Sequence, residues 1–214
     1  LLREGSFGHD SDFTWENFIN RYNGDLENGL GNLVSRTIGM AERYQEGKIK
    51  SAPTTTKLEK ELVAHVKLLP TTIEGHLNGK DIAFHLALAS IWEIISLTDR
   101  YINEEKPWEL AKQKKLDRIN AILYHVAFTC RAIAKALSPF LPETSEKILN
   151  AFQEMPSQEI VTHAIALFPR IEEIKEEKLQ EIRARGIKEF KVFYIDNIAI
   201  SASLRNTILA DKTK

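Results

Sequence analysis

Ile119-Asn-Ala-Ile-Leu-Tyr-His-Val-Ala-Phe-Thr-Cys-Arg-Ala-Ile-Ala-Lys-Ala-Leu137 carries the clearest periodic signal in this 214-residue chain. Ile119, Ile122, Leu123, Val126, Cys130, Ile133, Ala134 and Leu137 recur at three- and four-residue spacing, the period of one helix face. A face that continuous has to be covered by other elements, so the spacing predicts a long buried helix ended at Ser138-Pro139. Working outward, Pro142-Glu143-Thr144 starts a shorter helix to Phe152. On the other side Pro107 occupies a first-turn position, followed by Trp108. His85, Leu88, Trp92, Ile95 and Ile102 form the stripe of a helix opened by Asp81.

Leu58, Leu62, His65, Val66 and Leu69 keep helical spacing until Pro70 interrupts it, with a further stretch through Ile73 to Leu77 before Asn78-Gly79. Residues 48–56 hold serine, threonines and Pro53 and read as a loop. Upstream, Ser11 or Asp12 caps a helix over residues 13–22, which Asn23-Gly24 breaks. Asp25 caps the next helix, which runs through Arg36 to Tyr44 and closes at Gly47. No strand is expected before Gly186, and the fold class is all-α, a helical bundle with an irregular or partly β C-terminal tail. Leu167-Phe168-Pro169 reads as a hydrophobic plug and residues 172–185 as a solvated charged helix. In the tail, Phe190, Val192, Phe193, Tyr194, Ile195 and Ile198 are strand formers.

Composition narrows the function classes. A hydrophobic content of 43% supplies a core, and the formal net charge of −1 excludes a uniformly basic nucleic-acid binder while permitting a local patch. The single cysteine, Cys130, excludes an internal disulfide framework and a thiolate zinc site, and fits a reducing compartment. No apolar run approaches the roughly 20 residues that cross a bilayer, so a soluble protein without membrane contact is expected. Leu1 stands where a methionine would begin a gene product, and the chain is expected to start inside something larger.

The residues capable of chemistry are few. His9, His65, His76, His85, His125 and His163 scatter over separate elements, and none forms the paired spacing of a helical metal site. His85 and His125 read as core or rim side chains, and His9 as part of a hinge. No nucleophile elbow, phosphate-cradling glycine loop or dinucleotide fingerprint occurs, so no catalytic residue, metal or cofactor is assigned within the chain.

Binding is a different matter. In Asp25-Leu-Glu-Asn-Gly-Leu-Gly-Asn-Leu-Val-Ser-Arg36, Gly29 and Gly31 each cost a helix about 1 kcal/mol relative to alanine and call for a reason. Close backbone approach is one, and a surface kept open beside Asn32 and Arg36 is the other. Asn32 and Arg36 are four apart, project from one helix face and are suited to reading base edges. Trp108 follows Lys106-Pro107 and precedes Lys112, Lys114, Lys115 and Arg118, which sets an aromatic plane beside the densest basic segment. It reads as a base-stacking platform with cations for phosphates, or as a staple packing the Pro107 turn. Asn32 and Arg36 read either as part of that site or as an ordinary exposed face with Arg36 in an ion pair.

Arg21-Tyr-Asn-Gly-Asp-Leu-Glu-Asn-Gly-Leu-Gly-Asn-Leu-Val-Ser-Arg36, followed by Tyr101-Ile-Asn-Glu-Glu-Lys-Pro-Trp108, Ala111-Lys112 and Leu167-Phe-Pro-Arg170, resembles the anticodon-binding domain of bacterial-type methionyl-tRNA synthetases. Arg3-Glu-Gly-Ser-Phe-Gly-His-Asp10 resembles the junction where that family's catalytic domain ends. The resemblance implies that Asn32 and Arg36 contact the first anticodon base and that Trp108 stacks on an extruded one. Lys106, Lys112 and Lys115 are the candidate phosphate contacts. It further implies a CAU-bearing methionine tRNA as partner, a catalytic domain of the same enzyme as neighbour, ATP with magnesium as a requirement of the full-length ligase only, and a cytoplasmic location. The His-Ile-Gly-His and Lys-Met-Ser-Lys-Ser types of motif and the family's zinc-binding cysteines are missing here, so this piece is not expected to activate methionine by itself. Where the family usually carries asparagine two residues before the Tyr-Ile pair, this chain has Asp99, a negative charge near the implied site. The expected organisation is a junction over 1–12, a helical anticodon-binding domain over 13–186 and a tail of unknown role over 187–214. The rival reading is a helical interaction or scaffolding module that keeps the same fold, for which an apolar patch at Trp108 would speak.

Overall fold

Every residue of the stripe on Ile119 to Leu137 is fully buried, and the helix that carries it, α6 (Leu116–Leu137), lies at the centre of the described residues. Burial of each large aliphatic side chain there contributes roughly 1.5–3 kcal/mol, which is what fixes α6 as the element others pack on. A computed structural model describes residues 2–3, 14–78, 82–157 and 159–171 of the chain. Around α6 stand α2 (Asn32–Gln45), α3 (Lys57–Leu77), α4 (Phe84–Glu105) and α7 (Pro142–Ala151), and the short α5 (Pro107–Lys112) makes the corner between α4 and α6. The described residues thus form a helical bundle. The expected charged helix at 172–185, the tail, His9 and the Asp81 start lie outside them.

The N-terminal helices depart from expectation in an instructive way. α1 (Trp15–Arg21) is capped by Thr14, not Ser11 or Asp12: the Thr14 backbone is extended and its side chain accepts from the Asn17 N–H at 3.2 Å. Asn23-Gly24 does not break the chain, which continues as a π-helical segment over Tyr22–Gly31 and passes directly into α2. Asn23 is otherwise employed. The Asn23 amide donates to the Ile171 carbonyl at 2.7 Å and accepts from the Ile171 N–H at 2.9 Å. Asp25 is no cap; it pairs with Arg3 at 2.5 Å and Arg21 at 3.4 Å. The predicted plug packs on this segment: Leu167 is buried, and the Phe168 ring meets Tyr22 edge-on at 6.1 Å.

Gly31 has the close approach anticipated for it, since a Cβ there would lie 3.0 Å from the Leu26 carbonyl oxygen and 3.3 Å from Phe168. Gly29 does not, its nearest neighbours standing at 3.5 and 3.7 Å. α2 ends as expected, with Glu46 and Gly47 both left-handed and the Gly47 N–H donating to the Ala41 carbonyl at 3.1 Å.

Two further expectations are corrected. α3 runs unbroken through Pro70, whose ring faces solvent while Leu69 and Ile73 hold both halves against one core. Strands do occur before Gly186: β1 (Lys48–Ile49), β2 (Phe152–Glu154) and β3 (Ile160–Thr162) form an antiparallel sheet in the order β1-β3-β2, with Val161 opposite both Lys48 and Gln153. Strands of two or three residues are too short for alternation to register in a sequence. Ile49, Phe152 and Ile160 bury the inner side of this sheet, and Arg131 donates to the Phe152 carbonyl.

His125 is a satisfied core histidine, with Nδ1 2.7 Å from the Ala121 carbonyl and Nε2 3.1 Å from the Thr54 hydroxyl. Burial pushes the Cys130 thiol up to about 12.

Candidate nucleic-acid interface

The α4–α5 corner sets Trp108 in place. Lys106 ends α4 in the left-handed region at φ 48°, its N–H donating to the Ile102 carbonyl at 3.0 Å, and Pro107 starts α5 one residue later. A lysine in that conformation costs on the order of 1 kcal/mol, which the surrounding structure holds in place. The turn is buttressed from beneath by a network that joins three helix ends. Glu59, in the first turn of α3, is fully buried; it accepts from the Thr55 and Thr56 N–H groups at 2.6 and 2.8 Å, from Tyr101 Oη at 3.2 Å and from Arg118 at 2.5 Å. Arg118 also pairs with Glu105 at 2.8 Å. Burial alone would raise the Glu59 carboxyl, but the Thr56 N–H, Arg118 and the Thr55 N–H outweigh it and hold it at about 2.

Arg118 is therefore not one of the cations beside Trp108. Its guanidinium is taken up by two carboxylates, and it positions the corner instead. Lys106 at the α4–α5 corner and Lys112, Lys114 and Lys115 at the end of α5 and the turn into α6 are exposed, with Lys112 also 2.9 Å from Glu109.

Across from the corner, Arg36 reaches out from α2. Its Cζ lies 5.2 Å from the centre of the Trp108 ring, and Nη2 donates to Asn103 Oδ1 on α4 at 3.0 Å. Trp108 is half-buried and packed against the core, so the stapling contact coexists with a ring that meets a cation. Asn32, four residues before Arg36 on α2, is exposed. Asp99 stands on α4 one turn before Asn103. Burial raises its carboxyl above the ordinary value, and the Arg36 guanidinium draws it partly back.

The structure thus brings Arg36 and Trp108 into contact, sets Asn32 on the α2 face that carries Arg36 and leaves the lysines exposed on either side of α5, Lys112 paired with Glu109. A planar ring, a guanidinium, an exposed amide and exposed ammonium groups suit a planar polar ligand on an anionic backbone, the chemistry of unstacked nucleic-acid bases. Sequence reasoning missed Asn103, although it lies within the Tyr101 to Trp108 motif, and the Glu59 network. Thr56-x-x-Glu59, a capping-box spacing, was the available signal for the latter.

The profile of the anticodon-binding domain of tRNA ligases matches residues 59–207, and that of class I tRNA synthetases of the M type matches residues 1–38. The chain belongs to the family of tRNA-ligase anticodon-binding domains. Its similar relatives are methionine–tRNA ligases: that of Caldanaerobacter subterraneus is 35% identical over 91% of this chain and 33% of the relative, and that of Clostridium perfringens 38% identical over 86% and 30%. The free form of Mycobacterium tuberculosis methionyl-tRNA synthetase superposes with a TM-score of 0.73 at 28% identity, over 81% of this chain and 38% of that one. The chain spans about a third of the length of the curated relatives it matches. Trp108 falls within the anticodon-binding-domain match at 59–207, and Asn32 and Arg36 fall within the class I synthetase match at 1–38. Among the described residues no helix is long and apolar enough to cross a membrane.

Proposed function

We propose that this chain recognises the CAU anticodon of methionine tRNAs, with Asn32 and Arg36 reading the first anticodon base and Trp108 stacking on an extruded base. The observation that carries this reading is the Arg36 guanidinium 5.2 Å from the Trp108 ring centre, which pairs a base-edge donor with a stacking plane at one point of the surface. Lys106, Lys112 and Lys115 hold the adjacent phosphates. The exposed lysines around Trp108 favour RNA over the scaffolding alternative, which called for an apolar patch there.

In the longer protein, residues 1–12 form the junction to a catalytic portion and residues 13–186 the anticodon-binding domain. That protein attaches methionine to tRNA at the expense of ATP in the cytoplasm. No residue of this chain is assigned to ATP or magnesium.

Filter binding tests the site. A tRNA carrying CAU is expected to bind about 5- to 150-fold more tightly than one altered at its first anticodon base, the roughly 1–3 kcal/mol of a well-placed base contact. Arg36→Gln removes the discrimination, and Trp108→Ala weakens both tRNAs by a similar amount. Equal affinities for the two tRNAs would sink the assignment.

A further inference from the structure

In the free chain the Arg36 guanidinium lies over the ring on which a base would stack. Something has to hold it there, because a long side chain on an exposed helix face ordinarily samples many rotamers. α4 presents two groups to it, one helical turn apart. Asn103 accepts its hydrogen bond at 3.0 Å. Asp99 is half-buried and acts on it through charge.

Asp99 is the unusual member. Its Oδ1 is buried and has no hydrogen-bond partner among the described residues. A carboxylate in that setting is costly unless a cation answers it. Cys130, the titratable group near it from α6, stays a thiol. Arg36 on α2 is the cation whose charge acts on Asp99. The carboxylate therefore draws the guanidinium toward α4, where the amide of Asn103 fixes its direction and the Trp108 ring receives its face.

We propose that Asp99 is a positioning residue that keeps Arg36 on α4 and over Trp108, so that the stacking face stays covered until RNA draws the guanidinium away. The positioning is a property of the free chain, while its consequence for RNA rests on the reading of Arg36 and Trp108 given above. An incoming base has to displace Arg36 from the ring, and an acceptor on the RNA has to outbid both Asn103 and the Asp99 charge. Loss of that charge lowers the barrier to displacement without removing a contact to RNA.

Two measurements on the whole chain separate the positioning from the RNA reading. In the free chain, the Arg36 Nε–H resonance carries a ring-current shift from Trp108, recognised by its collapse in Trp108→Leu. Asp99→Asn, which is isosteric, moves that resonance toward the value of an exposed arginine; a resonance that stays in place overturns the proposal. For a CAU-bearing tRNA, Asp99→Asn binds about three- to tenfold more tightly than wild type, and the gain disappears in an Arg36→Gln background. Looser binding overturns the proposal, and so does a gain that persists without Arg36, since the carboxylate would then only be repelling RNA. If Arg36→Gln alone binds like wild type, the base-reading assignment fails, and the resonance decides the positioning by itself.

Discussion

Arg36 and Arg118 stand on either side of the same corner, and their surroundings give one residue type two opposite uses. Arg118 is held by Glu59 at 2.5 Å and Glu105 at 2.8 Å, with Tyr101 sharing the Glu59 carboxylate. Arg36 is held by a neutral amide, an aromatic face and a carboxylate acting at a distance. The first set of partners leaves a guanidinium nothing to offer a ligand. The second set is exchangeable, because a base edge or a phosphate can replace an amide and a ring at little net loss. Basic residues in a sequence are therefore not equivalent candidates for RNA contact: the number of carboxylates each one meets in the fold decides.

The largest effect that would break this contrast is on stability. Arg118→Ala strands the buried Glu59 carboxylate and is expected to lower the free energy of unfolding by about 3–5 kcal/mol in urea titrations. Arg36→Gln is expected to stay within about 0.5 kcal/mol of wild type while losing anticodon discrimination. A near-native Arg118→Ala that had lost RNA affinity would reverse the two roles. Acid titration probes the same network. The folded Glu59 carboxyl sits at about 2, below its ordinary 4.5. The unfolded chain thus binds the extra proton between those values. The stabilisation, on the order of 3 kcal/mol, is fully present above pH about 5 and is lost as pH falls toward about 2. In Arg118→Ala the acid dependence of the urea midpoint should be shallower.

How much of this was legible in the sequence follows from the range of each interaction. The α6 stripe and the Pro107-Trp108 corner are local, so periodicity and a first-turn proline expose them. Arg118 was grouped with the lysines because it adjoins them, whereas its partner Glu59 is 59 positions away. The π-helical register over Tyr22–Gly31 was invisible for a related reason: Asn23-Gly24 is a local turn signal, and what overrides it is the pairing of Asn23 with Ile171, 148 positions on. β1, β2 and β3 are too short to carry an alternating pattern. For the candidate site, Asn32, Arg36 and Trp108 could be named from their residue types and the family resemblance, but Asn103 and Asp99 acquire roles only when α2 and α4 are seen side by side.

A middle-sized effect sharpens the comparison at the base of α2. Gly31→Ala drives a Cβ to 3.0 Å from a backbone oxygen and 3.3 Å from Phe168, and is expected to cost about 1–2 kcal/mol. Gly29→Ala meets only ordinary contacts and should be neutral or stabilising by up to about 1 kcal/mol, through helix propensity. Paired thermal and urea unfolding distinguishes them. Equal effects would mean that the π-helical segment, and with it the seat of Arg36, is not held by Phe168.

The smallest effect lies between the two arginines, at Lys106. Its left-handed backbone favours glycine, so Lys106→Gly relieves strain and is expected to stabilise the chain by about 1 kcal/mol or less. The same change removes an exposed ammonium beside Trp108. If that ammonium holds a phosphate, affinity falls alike for tRNAs with CAU and with an altered first base, and the slope of log affinity against log salt drops by about 0.7. If instead the discrimination between the two tRNAs narrows while the salt slope stays, Lys106 acts by aiming Trp108 at Arg36. It would then belong with Arg118, among the residues that build the corner, and not with the cations proposed to meet RNA.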